Sequence, residues 1–292
     1  MSEMQKYIAL QKVIELGSFT KAADTLEFTQ SSISQMIASL ESELNMKLLI
    51  RSRAEIKLTR EGKELYPWIE RSISSYKVML EKSKEITGLE TGIIRIGTVS
   101  SVTCHWMPGL MKSFQAIYPN VQFVLHQGDY TSIIDWIKSG EVDFGFINPK
   151  STTDLITVEI KTGDMLAILP ENHPLAKKAV IPLRKLAKEP YILLEEGHYS
   201  EPMTAFQSIG IEPDIQYTIH DDYAIMTMVE AGLGVSILAA LVLLHTNYRI
   251  VQLPTDPPIQ RTLSIAYKDK AFLPIASKKF IRYILDHTDT LQ

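Results

Sequence analysis

The sequence predicts an α/β chain made of a small helical head, one long helix and a larger α/β body. Three features point to this. Residues 1–58 carry short stretches of helical periodicity broken by polar turns. Residues 59–87 carry one continuous helical pattern. Residues 92–292 alternate short apolar runs with helical stretches, the texture of strands feeding helices. Gly88 and Gly92 flank the expected boundary, because glycine ends helices and loosens connections. The expected domains are therefore residues 1–58, 59–90 and 91–292, within the two or three that 292 residues allow.

In the head, Tyr7, Ile8, Val13, Ile14 and Leu16 form an apolar helical stripe that Gly17 stops. Ser18 suits the start of a second, short helix, in which Ala22, Ala23 and Leu26 share a face. The two alanines permit close helix–helix approach. Thr29 suits the start of a third helix, with Ile33, Ile37, Leu40 and Leu44 spaced by three or four. Gln30, Ser31, Ser32, Ser34 and Gln35 lie along its first turns. Such side chains can hydrogen-bond to base edges in a major groove. They equally suit the polar outer face of a small bundle, and periodicity alone favours the bundle.

The following segment adds to the nucleic-acid reading. Ile56 and Leu58 alternate with polar residues after Leu48-Leu49-Ile50, which predicts a short hairpin, or wing. Lys47, Arg51, Arg53, Lys57, Arg60 and Lys63 cluster there, opposed only by Glu55 and Glu61. A solvated face of mixed charge would look similar. Arginines on a wing would instead grip phosphates beside the groove. The whole chain carries a net charge of −4, so a uniformly basic coat is excluded and a local patch is not.

From Thr59 the expected long helix places Leu65, Ile69, Tyr76, Met79 and Ile86 on a seven-residue repeat. Ser72 and Ser83 fill the seam, with Ile73 and Leu80 beside it. This is the pattern of a helix paired with another helix. Packing against its own domain is the alternative. Pro67 predicts a kink or a late start.

The body opens with an apolar strand around residues 93–97, followed by Thr98, Ser100, Ser101 and Thr103. A strand, a hydroxyl-rich turn and a helix start together make a small site for an anion or carboxylate, although hydroxyls there are more often simple caps. Residues 121–125 read as a second strand, 130–139 as a helix ending at Gly140, and 142–148 as a third strand.

Several of these motifs resemble the LysR-type transcriptional regulators. In the head they are Gly17-Ser18-Phe19-Thr20, Ala22-Ala23, Leu26, Thr29-Gln30, Ile33-Ser34, Ile37, Leu40-Glu41 and Leu44. Lys47-Leu48-Leu49, Arg51, Arg53, Leu58-Thr59 and Gly62 continue the match without a gap. In the body, residues 140–145, 172–176 and 230–236 match further. The resemblance implies an N-terminal winged helix-turn-helix and a long linker helix. It also implies a C-terminal two-lobed, periplasmic-binding-protein-like effector domain. Lobe 1 would span about residues 92–165 and 266–292, and lobe 2 about 166–265.

The resemblance further implies double-stranded DNA as a partner, read by Gln30, Ser31, Ser32, Ser34 and Gln35 and held by Arg51, Arg53 and Lys57. It implies a small-molecule effector between the lobes, with Thr98, Ser100, Ser101, Tyr130, Asn148, Tyr199, Ser200 and Asp222 as candidate contacts. A carboxylate or other anion would suit the hydroxyl turn, whereas Asp222 would favour an amine. A homodimer through residues 59–87, and a homotetramer, follow from the resemblance as well. The chain departs from the family where Gln35, Ala38 and Ser39 stand in place of frequent basic residues, and where no proline lies near Ser31. Gln35 suits adenine rather than guanine, and the wing must carry more of the phosphate contact.

Other chemistries find little support. There is no nucleophile elbow, P-loop or HExxH motif. The histidines at 105, 126, 173, 198, 220, 245 and 287 have no partner at helical spacing, so no metal site is expected. Cys104 is the single cysteine, which excludes an internal disulfide. No cofactor is expected. The longest apolar stretch, residues 235–244, is half of the roughly 20 residues a membrane span needs. With no secretion-type N-terminus, a cytoplasmic location is expected. The alternative to a regulator is a two-lobed binding protein or enzyme with an accessory helical head.

Overall fold

A computed structural model describes residues 2–51, 56–86 and 92–291. The chain divides into two units near residue 90.

The first unit contains helices α1 (Glu3–Leu16), α2 (Phe19–Leu26) and α3 (Gln30–Glu43), strands β1 (Leu49–Arg51) and β2 (Ile56–Leu58), and helix α4 (Arg60–Ile86). Local chemistry fixes the helix ends. The Ser2 hydroxyl accepts the Gln5 N–H, and the Gln5 side chain accepts the Ser2 N–H at 2.9 Å, a reciprocal cap. Gly17 closes α1 in the left-handed region at φ 58°. Ser18 accepts from Lys21 N at 3.3 Å, and Thr29 from Ser32 N at 3.1 Å, so each of the next two helices starts at its expected hydroxyl. Leu10, Val13, Ala22, Ile33 and Ile37 are fully buried between them. Each large side chain there contributes roughly 1.5–3 kcal/mol.

Glu41 anchors the turn into the wing. Its carboxylate is buried and accepts the Leu48 and Leu49 N–H groups at 2.9 and 3.2 Å, with Lys47 Nζ at 2.8 Å. Burial pushes this carboxyl up, but these hydrogen bonds outweigh it and hold the group below the ordinary range. The wing strands are antiparallel, with Leu49 opposite Leu58.

Two expectations for the long helix change. It does not start late: the Thr59 hydroxyl donates to Lys47 O at 2.6 Å and accepts from Gly62 N at 2.9 Å, capping α4 ahead of Arg60. Gly62 is required at this junction, since a Cβ would lie 2.4 Å from Leu48 O. Pro67 sits inside α4 without ending it, removing one backbone donor. The apolar seam is also divided. Leu65, Ile69 and Ile73 pack into the head's own core, whereas Trp68, Tyr76, Met79 and Leu80 stay exposed.

The second unit begins β3 (Gly92–Thr98), α5 (Ser100–His105), α6 (Met107–Ile117), β4 (Val121–Gln127), α7 (Tyr130–Ser139), β5 (Phe144–Ile147) and β6 (Ile156–Pro170). The next elements are β7 (Ile181–Pro182), α8 (Leu183–Leu186), β8 (Tyr191–Leu194), α9 (Glu201–Ser208), β9 (Ile215–Ile219) and α10 (Asp222–Glu230). The last are β10 (Ser236–Ala239), β11 (Ile250–Leu253), β12 (Thr255–Asp256), β13 (Ile259–Tyr267) and α11 (Ile275–Asp286).

The main sheet runs β10-β6-β13-β5-β3-β4, with β11 also on β6. β3 is parallel to both β4 and β5, as alternating strands and helices require. β6 and β13 are the exceptions: long antiparallel partners whose register shifts between Leu263 and Ser264. One end of β13 pairs with β5, while the far part of β6 pairs with β10 and β11. These two strands therefore carry the sheet from the first strand cluster to the second. Phe114, Phe123 and Phe280 interlock edge-to-face in the first cluster, with Phe280 centroids 4.8 and 4.9 Å from the other two. Met165, Leu183, Tyr191, Phe206 and Ile237 fill the second. No described helix is long and apolar enough to cross a membrane.

Candidate functional site

On the first unit, Gln30, Ser31 and Gln35 are exposed on the outer face of α3, while Ile33, Met36, Ile37 and Leu40 are buried behind them. Ser32 and Ser34 are half-buried. The Thr29 hydroxyl lies 2.9 Å from that of Ser31 and 2.8 Å from that of Ser32, so both serines are partly committed to the cap. Lys47, Lys57, Arg60 and Lys63 are exposed around the wing and the start of α4. Arg53 lies outside the described residues, and for Arg51 only the backbone, in β1, is described.

On the second unit, a cavity of about 300 Å³ opens where β3, β4 and β8 end and α5, α7 and α10 begin. Clefts at the carboxyl ends of parallel strands are the usual ligand position in such sheets. Ser100, Ser101 and Asp222 line it. Arg261, which sequence reasoning missed, forms its charged floor. Its Nε donates to Tyr130 Oη at 2.7 Å and its Nη1 to Ser101 Oγ at 3.1 Å. Its guanidinium also stands 3.7 Å from Glu196 and 3.9 Å from Glu201. Tyr130 Oη and Asn148 Nδ2 both donate to Glu201 Oε1, at 3.0 and 2.8 Å. Tyr130 and Asn148 thus brace the cavity from beneath rather than face it. The strand of Arg261 alternates apolar residues with Gln260, Thr262 and Ser264, so no sequence signal set this arginine apart.

Three candidates stand elsewhere. The Thr98 hydroxyl is fully buried and paired with Thr103 at 2.6 Å. Ser200 caps α9 through Met203 N at 3.4 Å. Tyr199 lies beside Tyr130, with centroids 6.5 Å apart, and does not line the cavity.

The charge of the lining runs against the expected anion. Asp129, Glu195, Glu196 and Asp222 face the cavity, against Arg261 alone among lysines and arginines. Glu196 and Asp222 are 8% and 9% exposed. Burial raises the Glu196 carboxyl to about 8; Arg261 opposes this, and Glu201 and Asp222 add to it. Burial also raises Asp222, against Arg261 and a hydrogen bond from Ser100. Gly197 follows Glu196 at φ 84°, and a Cβ there would lie 2.1 Å from Thr131 Oγ1, so only glycine fits this turn.

Cys104 is exposed, on a second cavity that it shares with His105, His245 and His287. The His105 and His245 rings are 6.3 Å apart, a proximity that sequence spacing did not reveal. Among the described residues no group of three potential ligands is placed to hold a metal ion.

Comparison with known proteins agrees with this layout. Residues 4–63 match the bacterial regulatory helix-turn-helix protein, lysR family, and residues 87–289 match the LysR substrate binding domain. The chain is 30% identical to the HTH-type transcriptional regulator YvbU of Bacillus subtilis, over 92% of this chain and 93% of that one. It is 29% identical to the transcriptional dual regulator GltC of the same organism, over 90% and 89%. A full-length OxyR variant from Pseudomonas aeruginosa shares the fold, with TM-score 0.72 and 21% identity, covering 100% of this chain and 96% of that one. The effector binding domain of QuiR in complex with shikimate covers 68% of this chain and 98% of its own, with TM-score 0.60 and 24% identity. The enzyme alternative falls away, and the chain belongs to the LysR family of DNA-binding transcriptional regulators, each with a helix-turn-helix head and an effector-binding domain.

Proposed function

We propose that this regulator reads its operator through Gln30, Ser31, Ser32, Ser34 and Gln35 on α3, with Arg51, Arg53 and Lys57 on backbone phosphates. The observation that carries this is the division of α3 into a polar exposed face and a buried face that is apolar from Ile33 to Leu40. Hydrogen-bonding side chains on that face suit base edges, and the wing's cations suit phosphates. The exposed Tyr76, Met79 and Leu80 on α4 support a homodimer through this helix, which would place two heads on an inverted repeat. A homotetramer is the further assembly that the family resemblance suggests.

The effector of this reading is a small molecule held in the cavity at the strand ends, against Ser100, Ser101 and Asp222. A ligand acts there only by binding one arrangement of the effector domain better than another. Genomic-fragment selection with the purified full-length protein at moderate salt tests the DNA assignment. Enrichment of a few sites containing an interrupted inverted repeat is the expected result. Equal retention of all fragments, with and without extracts of small molecules, would overturn it.

A further inference from the structure

We propose that the cleft binds a small organic cation, with its protonated amino or amidino group set against Asp222 and Glu196. This rests on the reading of the cleft as the effector site and names the class of molecule it takes.

The carboxylates of the lining are not equally available. Asp129 is occupied in capping α7, through Ser132 N at 2.8 Å and Ser132 Oγ at 3.1 Å. Glu195 Oε1 accepts Gly197 N at 3.1 Å. Glu196 and Asp222 are both more than nine-tenths buried and both on the cavity, with Ser100 alone donating to Asp222 from the lining. Arg261 does not satisfy them. Its short hydrogen bonds go to Tyr130 and Ser101, and it meets Glu196 at 3.7 Å, beyond hydrogen-bond range. Directly behind, Glu201 Oε2 is buried with no hydrogen-bond partner. The site therefore leaves one buried acceptor, Glu201 Oε2, without a donor and lines the cavity with more carboxyl groups than cationic side chains.

A ligand ammonium supplies both shortages, because it brings N–H donors and a positive charge to desolvated carboxylates. A bare carboxylate ligand would supply neither, and like charges in one buried site strongly disfavour one another. Arg261 is tied through Nε to the Tyr130 hydroxyl and through Nη1 to Ser101, and its Nη2 end faces Glu196, so an anion there would compete with that carboxyl. The cavity, at about 300 Å³, lies at the lower end of ligand sites and suits a molecule of diamine or amino-acid size. Glu196 faces Arg261, Glu201 and Asp222, and burial among them favours its protonated form. An ammonium placed beside it displaces that proton to solvent.

The test is isothermal titration of the full-length protein at pH 8 with putrescine, agmatine, L-lysine and L-arginine, beside glutarate, 2-oxoglutarate, benzoate and shikimate. At least one amine is expected to saturate the site, with proton release visible as a buffer-dependent heat. Asp222→Asn is expected to weaken that binding at least about thirtyfold, the usual scale for removing one partner of a buried charge pair. Glu196→Gln, a near-isosteric change that keeps the fold, is expected to weaken it and abolish the proton release. Ser100→Trp, which fills the cavity mouth, is expected to abolish binding altogether. Saturation by none of the amines overturns the proposal. Saturation by an acid that Ser100→Trp blocks and Asp222→Asn leaves unchanged also overturns it, while preserving the cleft as the effector site. Binding that Ser100→Trp does not affect would instead sink the cleft reading itself.

Discussion

Glu196→Gln should make the effector domain more stable at neutral and higher pH and leave it unchanged only below about pH 4. The reasoning starts from a carboxyl buried beside Glu201 and Asp222, with Arg261 as its one cation, whose folded value is raised to about 8. In the unfolded chain the same group titrates near 4.3. Between those values the folded state binds one more proton than the unfolded state. Stability then falls by about 1.4 kcal/mol for each pH unit gained. The contribution is fully present below the unfolded value and is lost as pH rises through the folded one. From pH 5.5 to 7.5 the loss is about 2–3 kcal/mol. Glutamine reproduces the shape of the neutral acid and never ionises, so it escapes that loss. Urea denaturation of the full-length protein, followed through the effector domain's transition at pH 5.5, 6.5 and 7.5, reads the difference directly. The variant should exceed the parent by about 1.5 kcal/mol already at pH 5.5 and by about 4 kcal/mol at pH 7.5, the two coinciding only below the unfolded value. A variant less stable than the parent at pH 7.5 would refute the argument. It would mean that Glu196 is ionised and held by Arg261, with the pair rather than the proton doing the stabilising.

Three further outcomes follow from the first unit. Glu41→Ala strands two buried N–H groups at the wing and should cost about 2–4 kcal/mol of head stability in thermal unfolding; a loss below about 0.5 kcal/mol would contradict it. Because the hydrogen bonds at Glu41 hold its carboxyl low, that contribution is present above the unfolded value and disappears as pH falls through the folded one. Tyr76→Lys with Met79→Lys, both on exposed positions of α4, should dissociate the expected dimer in sedimentation while the head's melting temperature stays put; an unchanged dimer would place the interface elsewhere. Arg51→Ala with Arg53→Ala should reduce the slope of log affinity against log salt by about 2, and an unchanged slope would remove the wing from the phosphate backbone.

The head was the more legible half. Its caps are local chemistry, so Gly17, Ser18 and Thr29 could be named from their neighbours alone, and each occupies the expected position. The seven-residue seam of α4 was visible too, but not its division. Leu65, Ile69 and Ile73 are drawn into the head's core because the wing and α1 lie beside them, which no one-dimensional spacing records. In the cleft, Ser100, Ser101 and Asp222 could be found because they sit at element starts. Arg261, Glu196 and Glu201 could not, since they meet only after β6 and β13 bring distant stretches of chain together. Thr98 and Ser200 misled for the same reason: a hydroxyl near a helix start serves the helix as readily as a ligand.

The position of Arg261 gives the effector domain a means of coupling occupancy to shape. It lies on β13, opposite Gly163 of β6, within the strand pair that carries the sheet between its two clusters. From there it holds Ser101 and Tyr130 of the first cluster by hydrogen bonds, and faces Glu196 and Glu201 of the second at longer range. On the proposed reading, a cation at Glu196 and Asp222 would compete with Arg261 for the second set and leave the first untouched. The balance of attraction across the crossover strands then changes without any new contact to the strands themselves. Such a device shifts the domain only by the difference in the ligand's affinity for the two arrangements, so about 1.4 kcal/mol of difference moves the ratio tenfold. It follows that Arg261→Lys, which keeps the charge but loses the forked donors to Tyr130 and Ser101, should uncouple ligand binding from DNA affinity more than it weakens ligand binding.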